Sequence, residues 1–451
     1  MLDWSWTTPA LSALGLVLLE LAYICFSDNW ASSPGLLGLG LRSLIDAAAG
    51  RQAPTDGTTM DALPAASRAW LDHLLTSSGI DLSSSYDVHC HVVGLGDSGS
   101  GCCANRRFSS PCHPILKLKM WVFMAAAGVR STFAADSVYM DRLKSLLEHF
   151  LPHRAPLSSP PGPFACLLAF DKYHTPDGAA DDARSGLYTP DAYVIELAAR
   201  HPHLFVPVAS IHPYRHDAVP ALRAAAAAGC CIVKWLPNAQ GIDPSSPACA
   251  PFYAAMVELD MALLSHTGDE HTVDAGGLNN ALGNPLLLRT PLDAGVKVIA
   301  AHCGSEGMAL DLDAPGLVRV PAFDLWLRLM DNPRYTDRLY GDIAALTSFK
   351  RIAHTRDLLL NRRDLLPRLV YGSDYPVPAV NAVVRLAKLV DAGLLDPAAV
   401  PHLRALYAAN PLTFDVASKL AIGFPARVFD TNIHTLLPRL AKEHRARLAA
   451  C

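Results

Sequence analysis

The chain has 451 residues, half of them apolar and 18% charged, with a formal net charge of −4 and a pI near 6.5. That composition excludes bulk disorder, offers no basic footprint for nucleic acid, and suits one α/β barrel with accessories acting on a small molecule. The eleven cysteines lack the spacing of a zinc ribbon and read as reduced, buried small hydrophobes. Cys102, Cys103, Cys112 and His113 hold the residue types of a metal knuckle, but in a Gly/Ser-rich loop that is the minor reading.

In chain order, residues 9–26 come first: an apolar run about as long as a membrane span, interrupted by Glu20 and preceded by no Lys or Arg. A helix docked on the barrel or at a subunit interface is expected in preference to insertion, because a mid-bilayer carboxylate is costly. The expected location is therefore cytoplasmic, with membrane association through residues 9–26 and homo-oligomerisation left open. Turn-rich stretches and a helical segment at 62–76 make residues 1–80 a helical leader.

From residue 86 onward, short β-rich apolar runs alternate with helical stretches such as 191–200, 219–228, 251–259 and 377–390. The runs lie at 86–93, 164–171, 204–211, 230–235, 262–266, 296–302, 339–344 and 369–374. Eight strands with helical crossovers predict a distorted (β/α)8 TIM barrel over residues 81–415. The long first gap, 94–163, reads as an insertion over the barrel mouth with helices at 115–127 and 137–150; a strand at 128–134 is the alternative that would upset the count. A segment at 396–409 and a turn at Asn410-Pro411 follow, then a helical tail over 416–451, whose Arg439, Lys442, Arg445 and Arg447 read as a solvated face.

In such a barrel, side chains ending different strands converge at the C-terminal mouth. Strand one ends with His89 and His91, strand four with Lys234, strand five with His266, strand six with His302 and strand eight with Asp374. Singly, each imidazole is more simply a hydrogen-bonded core residue; five such strand ends in barrel order point to a metal centre. Imidazole and carboxylate donors suit Zn²⁺, with Mn²⁺ as the alternative, and three or four of them around an open position define a catalytic site. The expected ligands are His89, His91, His266 and Asp374. Asp374 would take a proton from water acidified by the ion, leaving His302 to orient substrate, polarise a carbonyl or shuttle a proton.

The order His-x-His, strand-five His, strand-six His, strand-eight Asp resembles the amidohydrolase superfamily. The phrases His266-Thr267-Gly268, Ala301-His302-Cys303-Gly304 and Tyr371-Gly372-Ser373-Asp374-Tyr375-Pro376 resemble its amidohydrolase-related family 2 branch, over roughly residues 85–415. The resemblance implies a metal-dependent hydrolase or a non-oxidative decarboxylase. Members with two metals bridge them through a carbamylated lysine at the end of strand four, a role Lys234 would fill. Branch members mostly resemble one-metal enzymes, so one ion is expected over two, with Lys234 paired to a carboxylate or reaching substrate.

Asp342 is expected to orient a ligand imidazole, and Asp87 to fix a loop or a ligand. Asp269, Glu270 and His271 lie where substrate would be met, and His212 and Arg215 are placed to bind a substrate carboxylate. The preferred function is hydrolysis of an amide, ester or lactone of a small molecule by metal-activated water. The alternatives are decarboxylation of a carboxylated aromatic or enoate, and a non-catalytic barrel scaffold.

Overall fold

The structure is a computed structural model, and it describes Ile45 and residues 58–152, 162–274 and 276–449. The apolar run at 9–26 lies outside the described residues. Among the described residues, no helix is long and apolar enough to cross a membrane.

Eight parallel strands carry the architecture, each inside the run expected for it: β1 (Tyr86–His91), β2 (Phe164–Leu168), β3 (Phe205–Val208), β4 (Ile232–Trp235), β5 (Ala262–His266), β6 (Lys297–Ala301), β7 (Leu339–Asp342) and β8 (Leu369–Val370). They form one ladder in the order β1-β2-β3 and another in the order β8-β7-β6-β5-β4. Single bridges cross the two seams. Ala209 pairs with Val233 beyond β3, and Cys90 of β1 pairs with Tyr375 beyond β8. At the second seam, Val88 N–H donates to Tyr371 O at 3.0 Å and Asp374 N–H to His89 O at 2.7 Å. The last residues of the eighth run are thus tied directly to the His-x-His strand.

Inward-facing residues form a core cluster of their own, including Val88, Leu168, Val208, Ile232, Leu264, Ala301, Tyr340 and Val370. A period of two carries this row on to Lys234, His266 and Asp342, so the site residues are the top layer of the packed interior. A second, larger core lies between the strands and the surrounding helices.

The insertion contains helices Pro114–Ala126 and Ala135–Glu148, and residues 128–134 form turns rather than a strand. The expected helix over 377–390 is corrected. A 3-10 turn, Val377–Ala379, leads to a second turn at 381–383, closed by Val383 N–H on Val380 O, and then to Val384, which bridges Ser348; only Leu386–Asp391 is helical. Pro376 and Pro378 break the pattern there. All described cysteines are unpaired; seven are buried, and Cys103 and Cys112 are exposed.

The tail corrects a second expectation. Ile433, Leu436, Leu437 and Leu440 join the barrel's interior cluster, so helices Asn432–Leu436 and Pro438–Ala449 stopper the end opposite the site. His444 sits against Tyr86 Oη at 2.9 Å and donates from Nε2 to Pro202 O at 2.7 Å. Arg439 donates to the carbonyls of Leu259 and Ala226, and Arg447 to that of Gly229. Lys442 and Arg445 alone of the four cations are exposed. Helix termini in the barrel leave carbonyls that guanidinium groups satisfy, which periodicity alone does not disclose.

Candidate metal centre

His89 reaches the site through a bulge. The β1-β2 register shifts between Asp87 and Cys90, so Val88 and His89 both belong to the interior although they are adjacent. Asp87 Oδ1 accepts from His89 N–H at 3.1 Å and Ser373 N–H at 2.8 Å, clamping the bulge to the β8 end. His302 also breaks alternation, following inward-facing Ala301 with a φ of 60°. Asp374 (φ 64°), Cys303 (φ 55°) and Ala345 (φ 53°) share this left-handed geometry. Such backbone costs on the order of 1–3 kcal/mol per residue and persists where surrounding contacts over-determine it.

Asp342 supplies many of those contacts. It is buried, with Oδ2 accepting from His89 Nδ1–H at 2.8 Å and Oδ1 from the backbone N–H of His302 at 2.7 Å and Ala344 at 3.1 Å. The first of these bonds leaves His89 Nε2 as a lone pair facing the cavity. His302 Nδ1–H donates to Ala344 O at 3.1 Å, turning Nε2 the same way.

Around His89 Nε2 lie His91 Nε2 at 3.2 Å, Lys234 Nζ at 3.0 Å and Asp374 Oδ1 at 3.4 Å; His91 Nε2 is 3.2 Å from the same Asp374 oxygen. His89, His302 and Asp374 each offer a ligand atom within 4.8 Å of the others. His266 stands beside His302, ring centres 5.1 Å apart, and its buried Nε2 has no hydrogen-bond partner. Glu270 Oε2 approaches that nitrogen only to 3.9 Å. A buried imidazole nitrogen left unpaired is costly unless something else is meant to occupy it, so these donors fit a divalent cation.

The electrostatics favour neutral imidazoles beside an ionised carboxylate. Burial pushes His266 down to about 4, and burial with the Lys234 charge holds His89 well below the usual range. Burial with the Arg351 charge does the same for His302. Burial pulls the Asp374 carboxyl upward, but His89, His91 and Lys234 outweigh it and keep the group ionised. Lys234 is brought down to about 8 by burial.

The loop after β5 brings Asp269, Glu270 and His271 to the cavity wall. His212 and Arg215 are not brought there. Arg215 is paired with Asp171 at 3.0 Å and Asp217 at 2.8 Å, while His212 donates from Nε2 to Gln240 O at 3.0 Å and accepts Tyr214 N–H at Nδ1. Their partners are consumed in fastening the loops after β2 and β3. Sequence reasoning missed Arg351, which comes to the cavity from beyond β7 and donates to Ser305 Oγ at 3.1 Å. No strand-end position flags it.

His212 yields a pH prediction. Burial depresses it to about 3 from the ordinary 6.5, so below pH 6.5 the unfolded chain takes a proton that the folded chain refuses. Stability should therefore fall as pH drops from 6.5 toward 3, this residue contributing about 3 kcal/mol of loss by pH 4. Urea unfolding at pH 7 and pH 4 should show a smaller difference for His212→Gln than for the native chain. Equal differences would refute the assignment.

The amidohydrolase family model matches residues 86–414. No curated protein matches the chain. Among solved structures, an uncharacterised TIM-barrel protein from Bordetella bronchiseptica is 13% identical with a TM-score of 0.43, covering 81% of this chain and 98% of its own. A protein provisionally described as a 2-pyrone-4,6-dicarboxylic acid hydrolase from Pseudomonas putida is 15% identical with a TM-score of 0.39, covering 76% and 98%. A 5-carboxyvanillate decarboxylase from Novosphingobium aromaticivorans, with bound manganese, is 11% identical with a TM-score of 0.39, covering 79% and 100%. The matched span includes every strand of the barrel and every residue of the centre, and the chain belongs to the amidohydrolase family of metal-dependent TIM-barrel enzymes.

Proposed function

We propose that this enzyme hydrolyses an amide, ester or lactone of a small molecule, using a divalent cation held by His89, His91, His266 and Asp374. Zn²⁺ is favoured over Mn²⁺, and one ion over two. The observation that carries this reading is the buried, unpartnered Nε2 of His266 beside His89, His302 and Asp374. Such a cation, when bound, acidifies water toward neutral pH and polarises the scissile carbonyl.

The chain's own groups do the rest. Asp374, ionised and at the cavity face, accepts the proton of the attacking water and passes it to the leaving group. His302, fixed by its Nδ1–H bond to Ala344 O, orients the carbonyl and is near enough to serve as a further ligand. Lys234 Nζ lies 3.0 Å from His89 Nε2, the nitrogen that would turn to the cation, so beside a bound ion the lysine is left to reach substrate; carbamylated, it would instead bridge two ions.

The test is metal content of protein purified without chelator, with an ester, lactone and amide panel run beside CO₂ release from carboxylated aromatics. About one equivalent of Zn²⁺ or Mn²⁺ and chelator-sensitive hydrolysis are expected. Less than about 0.2 equivalents, with no response of stability or activity to added metal, would sink the proposal. CO₂ release without hydrolysis would transfer the site to C–C lyase chemistry. Asp342→Asn should weaken metal affinity by roughly 10–100-fold, read by competition with a chromophoric chelator.

A further inference from the structure

The cavity over the metal centre has a volume of about 270 Å³. One end carries the imidazoles and Asp374; much of the remaining wall is apolar, built by Phe108, Met120, Phe123, Met124, Phe170 and Leu236. Met120, Phe123 and Met124 come from the insertion helix Pro114–Ala126. The insertion therefore supplies most of this wall, and Phe170 and Leu236 at the ends of β2 and β4 supply the rest.

Charged side chains also line the cavity, four of each sign. Lys119, Lys234, Lys350 and Arg351 face Asp269, Glu270, Glu306 and Asp374. Lys350 and Arg351 both close on Glu306, at 2.7 Å and 3.0 Å. Lys234 lies at the metal end of the cavity beside His89, and Lys119 Nζ donates to the carbonyl of His271 at 2.8 Å. A ligand carboxylate buried among the Phe and Met side chains of the apolar wall would lose its hydration without a partner there, which costs several kcal/mol.

From this wall and this balance we infer that the site takes a neutral, apolar-bodied ester or lactone and discriminates against the same molecule bearing a carboxylate away from the scissile bond. The inference takes the cleaved bond from the hydrolytic reading above, while the selectivity is a property of the cavity itself. In the reaction, water adds to the acyl carbon, the C–O bond breaks, and the departing alcohol oxygen takes the proton.

The test compares 4-nitrophenyl hexanoate with 4-nitrophenyl hydrogen adipate on the metal-loaded enzyme. The neutral ester should have a kcat/KM higher by roughly 30-fold or more, with the difference mainly in KM. Phe123→Arg, which sets a cation in the wall, should narrow that ratio at least about tenfold, whereas Phe123→Ala should raise KM for the neutral ester without favouring the acid. Equal or reversed preference in the native enzyme, or an unchanged ratio in Phe123→Arg, overturns the inference. Binding of hexanophenone against 5-benzoylpentanoate, read by isothermal titration, separates the two readings. Tighter binding of the ketone without turnover of either ester leaves the cavity's selectivity standing and removes the hydrolytic reading. Tighter binding of the acid, or binding of neither, removes the selectivity.

Discussion

Asp374→Asn should lower kcat by at least about 10³-fold at saturating metal while the barrel stays folded. The amide is nearly isosteric, and the backbone N–H of residue 374 keeps its 2.7 Å bond to His89 O, so the β1-β8 seam is retained. What disappears is the negative charge that faces His89, His91 and Lys234 together. Asn neither accepts a proton at neutral pH nor offsets the charge of a cation and a lysine in one cluster. The rate should therefore fall more than metal affinity does, and added Zn²⁺ should not restore it. The measurements are kcat at graded metal concentrations and the thermal unfolding midpoint. A kcat within about tenfold of the native value would refute the proton relay.

Much of this site was legible because the strand ends announce themselves: an apolar run closing on His266 or Asp374 has no packing reason to do so. Asp342 was legible for the same reason, as a carboxylate ending β7 within reach of the His89 ring. The departures arise where backbone geometry overrides periodicity. Strict alternation assigns Val88 and His89 to opposite faces, and only the bulge between Asp87 and Cys90 returns both to the interior. His302 follows inward-facing Ala301 and joins the centre through a positive φ, which sequence does not signal in a residue other than glycine. Gly372 is similar in kind. A Cβ there would meet His89 Cβ at 2.8 Å, so this glycine lets the chain beyond β8 approach β1, but the need for it is visible only with both strands in place. His212 and Arg215 misled because a strand-end address is necessary for the site without being sufficient; Asp171 and Gln240 engage them first.

The other large effect belongs to the tail. Ending the chain after Asp430 should abolish cooperative folding, although no residue of the metal centre is removed. Ile433, Leu436, Leu437 and Leu440 are each 1% exposed or less and pack against the inner faces of the strands. At about 1.5–3 kcal/mol for each buried side chain, their loss sums to roughly 6–12 kcal/mol as an upper bound. That is comparable to the roughly 5–15 kcal/mol by which a folded domain exceeds its unfolded state. The truncation also strips His444 from Tyr86 Oη, leaving a buried phenol without its partner. Truncated protein should be insoluble or melt without a cooperative transition. A point variant keeps the argument testable if it cannot be purified: Leu437→Ala should cost about 2–5 kcal/mol in urea unfolding, whereas exposed Lys442→Ala should stay within about 0.5 kcal/mol. Because the tail closes the end opposite the metal centre, Leu437→Ala should keep its kcat at temperatures where it remains folded. Native-like stability in Leu437→Ala would mean that the tail does not stopper the barrel, and a lost kcat in folded protein would mean that the two ends are coupled through the strands.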